Sequence, residues 1–318
     1  MAQTRIAIIG VTGHLGSLIA KHILNRSSTS IVHGICRTPS KLSTTLTSNP
    51  RFKTHQTDLT PSPKLPEALQ GANIAIFATL ADNDTMVQGQ KTLIDLCIEL
   101  GVPRFMTGDW SMDYRKLAYG DHPAKDPMKE VAAYAQAKEK ESNGAFKHVS
   151  VLNACFMEVP WRGIYNPGDK SLQYWGSGIE KWELTTHDDA AQFSAAIALD
   201  TGTSGYHAVR GDKVNIHDMA SAFETAFGFK PELKCNGSLN EMFKTMHAIK
   251  DSSPQNPWSW IPMFYAYYSV NGQTTLEEPL SNELYPDVKT TSLVEYLRAV
   301  GTPEKLGMAY DEAVAEQG

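Results

Sequence analysis

Along the first half of the chain, short unbroken apolar runs alternate with apolar stripes at helical spacing. Residues 5–10, RIAIIG, are rich in isoleucine and closed by glycine, which predicts a buried strand. Residues 14–25 follow with Leu15, Leu18, Ile19, His22 and Ile23 near helical spacing. The run from Ile31 to Cys36 stops at Arg37 and predicts a second strand; residues 52–57 predict a third, and Asn73 to Leu80 the clearest fourth. Met86, Leu93, Leu96, Cys97 and Leu100 form a stripe that predicts a helix over 84–100, closed by Gly101. Arg104 to Thr107 predicts a fifth strand, Lys129 to Ser142 a helix, and His148 to Asn153 a sixth strand. Continuous apolar strands separated by helices imply right-handed crossovers and a parallel sheet covered on both faces. The expected class is therefore α/β, a doubly wound sheet of Rossmann type.

After about residue 155 the alternation loosens. Segment 156–182 sets Trp161, Tyr165, Tyr174, Trp175 and Trp182 among glycines and prolines, and reads as loop with aromatic anchors. Residues 188–199, 216–228 and 291–300 predict helices, while 252–272 is aromatic and rich in proline. The expected organisation is a dinucleotide-binding domain over 1–155 and a smaller, mainly substrate-binding lobe over 156–318, with late elements returning to the first sheet.

Composition narrows the classes. Hydrophobic residues make up 42% and charged residues 20%, and the net charge of −6 gives no general attraction for nucleic acid or anionic lipid. The four cysteines (Cys36, Cys97, Cys155, Cys235) form no C-x-x-C pair, which fits a reducing compartment. MAQTRIAIIG runs straight into a strand without the features of a signal peptide, and no stretch approaches eighteen apolar residues. A cytoplasmic protein with a small-molecule partner and no nucleic-acid or membrane partner is expected; an oligomer is compatible with the sequence.

Candidate chemistry begins at Gly10-Val-Thr12-Gly13-His14-Leu15-Gly16, between the first strand and first helix. Glycines there allow a tight turn and close approach to a pyrophosphate, which the helix N-terminus favours electrostatically. The glycine spacing differs from G-x-G-x-x-G; the strand-to-helix context carries the reading. The second strand ends at Arg37-Thr-Pro-Ser-Lys41, where an acidic residue would select NAD by accepting from the ribose 2′-hydroxyl. Arg37 offers a planar fork to a 2′-phosphate and Lys41 a second charge, so NADPH/NADP+ is the expected cofactor. Asp58 after the third strand suits a contact near the adenine or a simple turn. His187-Asp188-Asp189 reads as a helix start, and no metal site is expected.

GVTGHLG, the arginine after the second strand, RFMTGDWSMDY, the lysine-bearing helix, VLNACF and the stretch from Asn271 to Gly301 together resemble the NmrA-like and isoflavone-reductase-like branch of the atypical short-chain dehydrogenases. The resemblance spans nearly the whole chain and implies a seven-stranded Rossmann sheet with a substrate cleft beneath a smaller lobe. It implies that a lysine in the helix after the fifth strand holds the nicotinamide ribose and assists proton transfer, a role carried to Lys138. Tyr134 stands four residues earlier, on the same helix face, and completes a Tyr-x-x-x-Lys pattern in which the ammonium favours the phenolate. The chain departs from the branch at Thr107-Gly108-Asp109-Trp110-Ser111, where glycine replaces the usual serine. Asp109 becomes a candidate acid, base or cation partner and Trp110 a substrate contact. Asn153 and Phe156, which resemble the family segment lining the cofactor, are further cofactor candidates. Trp161, Trp260 and Tyr265 are candidate substrate contacts, against the alternative that these aromatics are lobe core.

These readings imply an NADPH-dependent reductase of a bulky, partly aromatic small molecule, of the kind met in specialised metabolism. Two alternatives stand beside it: a redox-sensing regulator that binds dinucleotide without turnover, and a cofactor-bound enzyme of cyclisation or rearrangement.

Overall fold

The computed structural model describes residues 4–58 and 62–307. Its first half alternates in the order β1 (Arg5–Ile9), α1 (His14–Arg26), β2 (Ile31–Cys36), α2 (Thr44–Thr47), β3 (Phe52–Gln56), α3 (Lys64–Leu69), β4 (Ile74–Phe77), α4 (Gln90–Glu99), β5 (Arg104–Met106), α5 (Asp126–Glu141) and β6 (Lys147–Leu152). The second half continues with β7 (Cys155–Phe156), α6 (Trp161–Ile164), β8 (Tyr165–Asn166), β9 (Ser171–Tyr174), β10 (Trp182–Thr185), α7 (His187–Leu199), β11 (Gly205–Ala208) and β12 (Asp212–Val214). It ends with α8 (Ile216–Phe227), β13 (Glu232–Cys235), α9 (Leu239–Ser252), α10 (Pro257–Val270) and α11 (Leu293–Val300).

Seven parallel strands form the central sheet in the order β11-β6-β5-β4-β1-β2-β3. Period-two alternation in β1 feeds two separate cores. Ile6 and Ile8 pack with Ile19 and Ile23 of α1 and with α7, while Ala7 and Ile9 pack with Leu93 and Cys97 of α4 and Val131 and Ala135 of α5. Ile6, Ala7, Ile8 and Ile9 are all fully buried, which explains why the strand reads as an unbroken apolar run. The chain leaves β1 toward β2 and β3, then returns to β4 on the other side of β1. This reversal opens a crevice beyond the carboxyl ends of β1 and β4, the usual place for a ligand in such sheets.

Two three-stranded sheets, β12-β10-β7 and β13-β9-β8, carry the second half. Their core gathers Trp161, Leu172, Leu184, Phe223, Tyr296 and Leu297. β11 meanwhile joins the edge of the large sheet beside β6, and α7 packs along α1.

Several elements differ from the sequence expectation: segment 156–182, expected as loop, carries α6, β8 and β9, and helix α9 has no counterpart in the expected elements. The helix expected over 84–100 opens as a wide π-helical turn, Thr85–Gly89, before α4. Helix α5 starts at Asp126 rather than Lys129, with Pro127 in its first turn, where the missing N–H costs nothing. The aromatic stretch near 260 is helix α10 despite the internal Pro262. Its hydrophobic residues lie all round the axis, so no apolar stripe announces it.

Candidate active site

The loop after β1 turns at Gly10, whose φ is 82°. A Cβ there would sit 2.3 Å from Thr79 Oγ1 and 2.6 Å from the Ala78 carbonyl oxygen, and one at Gly16 would sit 2.5 Å from the Gly10 carbonyl oxygen. The loop is thus pressed against the end of β4 and against its own helix, as a cradle for a backbone-bound phosphate requires. Gly13 is the N-cap of α1 and provides no side-chain cap, which leaves first-turn amides to a ligand. Thr12, Gly13, His14 and Leu15 keep partial exposure over the crevice, while Gly16 is buried. Arg37 is exposed at the end of β2, and its guanidinium makes no hydrogen bond or ion pair among the described residues. Gln56 holds the Arg37 carbonyl at 3.2 Å. Lys41 closes a short 3-10 turn nearby, and Asp58 is exposed beyond β3.

Buried polar atoms without partners among the described residues cluster at the carboxyl ends of three adjacent strands. Thr79 Oγ1 follows β4, Ser111 Oγ follows β5, and both amide atoms of the fully buried Asn153 follow β6. Orphaned groups are costly unless a ligand or water completes them, so their grouping marks a polar binding crevice. Together with the glycine cradle and the exposed arginine, they fit a phosphorylated dinucleotide.

Lys138 and Tyr134 lie elsewhere. The Tyr134 hydroxyl donates to Asp95 of α4 at 2.7 Å, and Lys138 Nζ is 3.1 Å from the same carboxylate. The pairing holds the Lys138 ammonium above its ordinary range, while burial and Asp95 push the Tyr134 phenol up, so the phenol is not activated as expected. The helix runs antiparallel to the strands, so only its first turn faces the crevice.

Lys125, the N-cap residue of α5, stands at that end. Its side chain is 1% exposed, and Nζ donates to the Tyr265 hydroxyl at 2.9 Å and lies 3.6 Å from the Met128 sulfur. Among the described residues no carboxylate lies within 4.0 Å of this ammonium. His122, three residues earlier, is fully buried with neither ring nitrogen partnered among the described residues, and its ring meets Tyr265, Tyr268 and Phe264 at 4.6, 5.6 and 5.9 Å. Burial pushes the imidazole down to about 2, so it is neutral. The sequence reading does not single out Lys125 or His122, because both lie in the loop ahead of the expected helix and their burial depends on distant partners in α10. Pro127 was the available signal for the earlier start of α5.

Asp109 is sealed rather than open to substrate. Its Oδ2 accepts from Thr107 Oγ1 at 2.6 Å and from Ser150, whose hydroxyl also meets His148 at 2.9 Å. Burial raises the carboxyl above its usual range against these hydrogen bonds and the Lys125 charge. Trp110, at φ 31°, turns its indole into the core and donates to Ser194 at 2.8 Å. Trp161 is 1% exposed, tilted against Phe223 and parallel to Tyr296 in the lobe core. Trp260 packs with Met112, Met246 and Phe264, its indole N–H unpartnered, so of the four aromatics Tyr265 reaches the lysine and Trp260 belongs to the same wall. Phe156 stacks on His187 at 3.8 Å. His187, Asp188 and Asp189 open α7 behind the N-cap Thr186, and no metal-ligating cluster is found among the described residues.

Residues 10–153 match a family described as NAD(P)H-binding. The oxidoreductase aprR of Aspergillus flavus is 25% identical over 194 residues, covering 57% of this chain and 59% of its own length. The chain thus spans less than two thirds of that relative. Among solved structures, an isoflavone reductase superposes with a TM-score of 0.74 at 18% identity over 94% of this chain and 99% of its own. The pinoresinol-lariciresinol and phenylcoumaran benzylic ether reductases give 0.76 at 17% over 94% and 99%. AtPrR2 with NADP+ and (+)pinoresinol gives 0.74 at 18%, again over 94% and 99%. Segment 10–153 is thus similar to an NAD(P)H-binding family, and the whole chain shares the fold of these isoflavone-reductase-type structures.

Proposed function

We propose that the protein is an NADPH-dependent reductase of a bulky, partly aromatic small molecule, acting at a C=N, C=C or C=O bond as enzymes of specialised metabolism do. Bound in the crevice, the dinucleotide supplies hydride chemistry. The 10–16 loop holds its diphosphate, Arg37 and Lys41 its 2′-phosphate, and Thr79, Ser111 and Asn153 offer polar partners along the strand ends. Lys125 takes the part assigned from the resemblance to Lys138. Its ammonium steadies negative charge developing on the acceptor and supplies a proton, while Tyr265 orients the amine. The aromatic face of α10 gives a flat ligand large contact area.

The carrying observation is a buried, carboxylate-free ammonium at the mouth of the strand ends. Burying such a charge is expensive, and sites tolerate it where charge must be met. The test is NADPH oxidation with a panel of imines, enones and quinones, for native protein and Lys125→Met. Turnover should fall by about 10²-fold or more in the variant, the scale of lost acid–base assistance, with NADP+ affinity retained. Unchanged turnover removes Lys125 from the chemistry. Tight binding of both cofactor forms with no reduction of any acceptor overturns the reductase reading in favour of a sensor.

A further inference from the structure

We infer that His187 and Glu158, both outside the segment matched to the NAD(P)H-binding family, grip the diphosphate–nicotinamide-ribose half of the cofactor. The inference rests on the cofactor reading above and extends the site into the second half of the chain. Helices α1 and α7 pack side by side, and each begins with a histidine, His14 and His187. Their rings meet edge to face at 5.1 Å, so His187 borders the phosphate cradle directly. On its other side it stacks on Phe156 of β7, nearly parallel at 4°. The imidazole therefore stands between the glycine loop and the segment following β6.

Glu158 holds this ring in place. One carboxylate oxygen accepts from the His187 backbone N–H at 3.0 Å, and the other lies 3.0 Å from Nδ1. Neither Nδ1 nor that second oxygen has a well-aligned hydrogen bond, and both are buried. A carboxylate only accepts, so Nδ1 carries the hydrogen and Nε2 is the atom left for another group. Nε2 has no partner among the described residues, and the ring keeps a 12% exposed edge. This is the arrangement by which an outer carboxylate orients a ligand-contacting imidazole. Packing between Phe156 and His14 does not require a nitrogen-bearing ring or a buried carboxylate beneath it; contact with a polar ligand does.

Calorimetric titration with two probes tests the assignment: NADP+, and adenosine 2′,5′-bisphosphate, which lacks the diphosphate bridge and nicotinamide ribose. His187→Phe keeps both ring contacts while removing the nitrogens. It should weaken NADP+ about tenfold, the scale of one net hydrogen bond, and leave the bisphosphate within about twofold. Glu158→Gln should weaken NADP+ in the same selective way, and it carries the test if the phenylalanine variant does not fold. Equal affinity for NADP+, or equal losses on both probes, overturns the role of the pair. Native protein that binds neither probe overturns the cofactor reading itself.

Discussion

Lys125 and Lys138 are thirteen residues apart. A rise of about 1.5 Å per helical residue separates them by roughly 20 Å along α5, enough to put them at opposite ends of the sheet. The Tyr-x-x-x-Lys spelling identified a real helix face, but that face meets α4 through Asp95 instead of the crevice. Lys138→Ala and Tyr134→Phe should each leave kcat and NADP+ affinity within about twofold, since exposed ion pairs contribute little; a hundredfold loss of kcat would return the chemistry to that face. The exposed place of Arg37 was legible because it depends only on where β2 stops. Arg37→Asp should weaken NADPH by about 10- to 100-fold, the scale of charge-assisted hydrogen bonds, and leave NADH unchanged or improved. An unaltered ratio of the two dissociation constants would place 2′-phosphate recognition elsewhere.

Among elements, the central parallel strands β1, β2, β4, β5 and β6 were readable because both faces of each are buried and their runs are largely apolar. The glycine loop was readable because its context, strand before and helix after, is local. Gly10 shows how tight that context is, with its positive φ and a carbonyl and hydroxyl where a Cβ would fall. Gly10→Ala should cost about 2 kcal/mol or more of stability and weaken NADP+ as the loop shifts, both measurable by denaturant unfolding and calorimetry. A variant with native stability would mean the loop has slack the contacts do not show. The less readable elements depend on distant partners. Helix α10 buries Trp260, Phe264 and Tyr268 against Met112, Leu117 and Met246, contacts invisible to periodicity. The burial of Asp109, Trp110 and Trp161 was equally illegible, because a loop residue's orientation follows from what packs over it. Ser194 on α7, far along the chain, is what receives the Trp110 indole.

Across the whole molecule, buried histidines set the response to acid. Burial depresses His33 to about 4, His148 to about 4 and His122 to about 2, and it lowers His55 and His207 as well. Each of these bases binds a proton more readily when unfolded, so its contribution is complete above the unfolded value of 6.5 and is lost as pH falls toward the folded value. Asp109 and Asp189 act oppositely, because burial raises their carboxyls and makes the folded state the better proton acceptor. Carboxylates held low, such as Asp169 and Asp218, lose their contribution only below the ordinary carboxylate range. Between pH 6.5 and 4.5 the five lowered histidines outnumber the two raised carboxyls, Asp109 and Asp189, each strongly shifted histidine costing up to roughly 1.4 kcal/mol per pH unit. Unfolding free energy from urea titrations should fall steadily across that window. His122→Phe is the cleanest probe, because neither nitrogen has a partner to lose and the cage around it is already aromatic. It should match or exceed native stability at pH 7.5 and show a shallower acid slope, by up to about one histidine's share. Native protein with a flat profile over this range would mean that these imidazoles reach water before the fold opens.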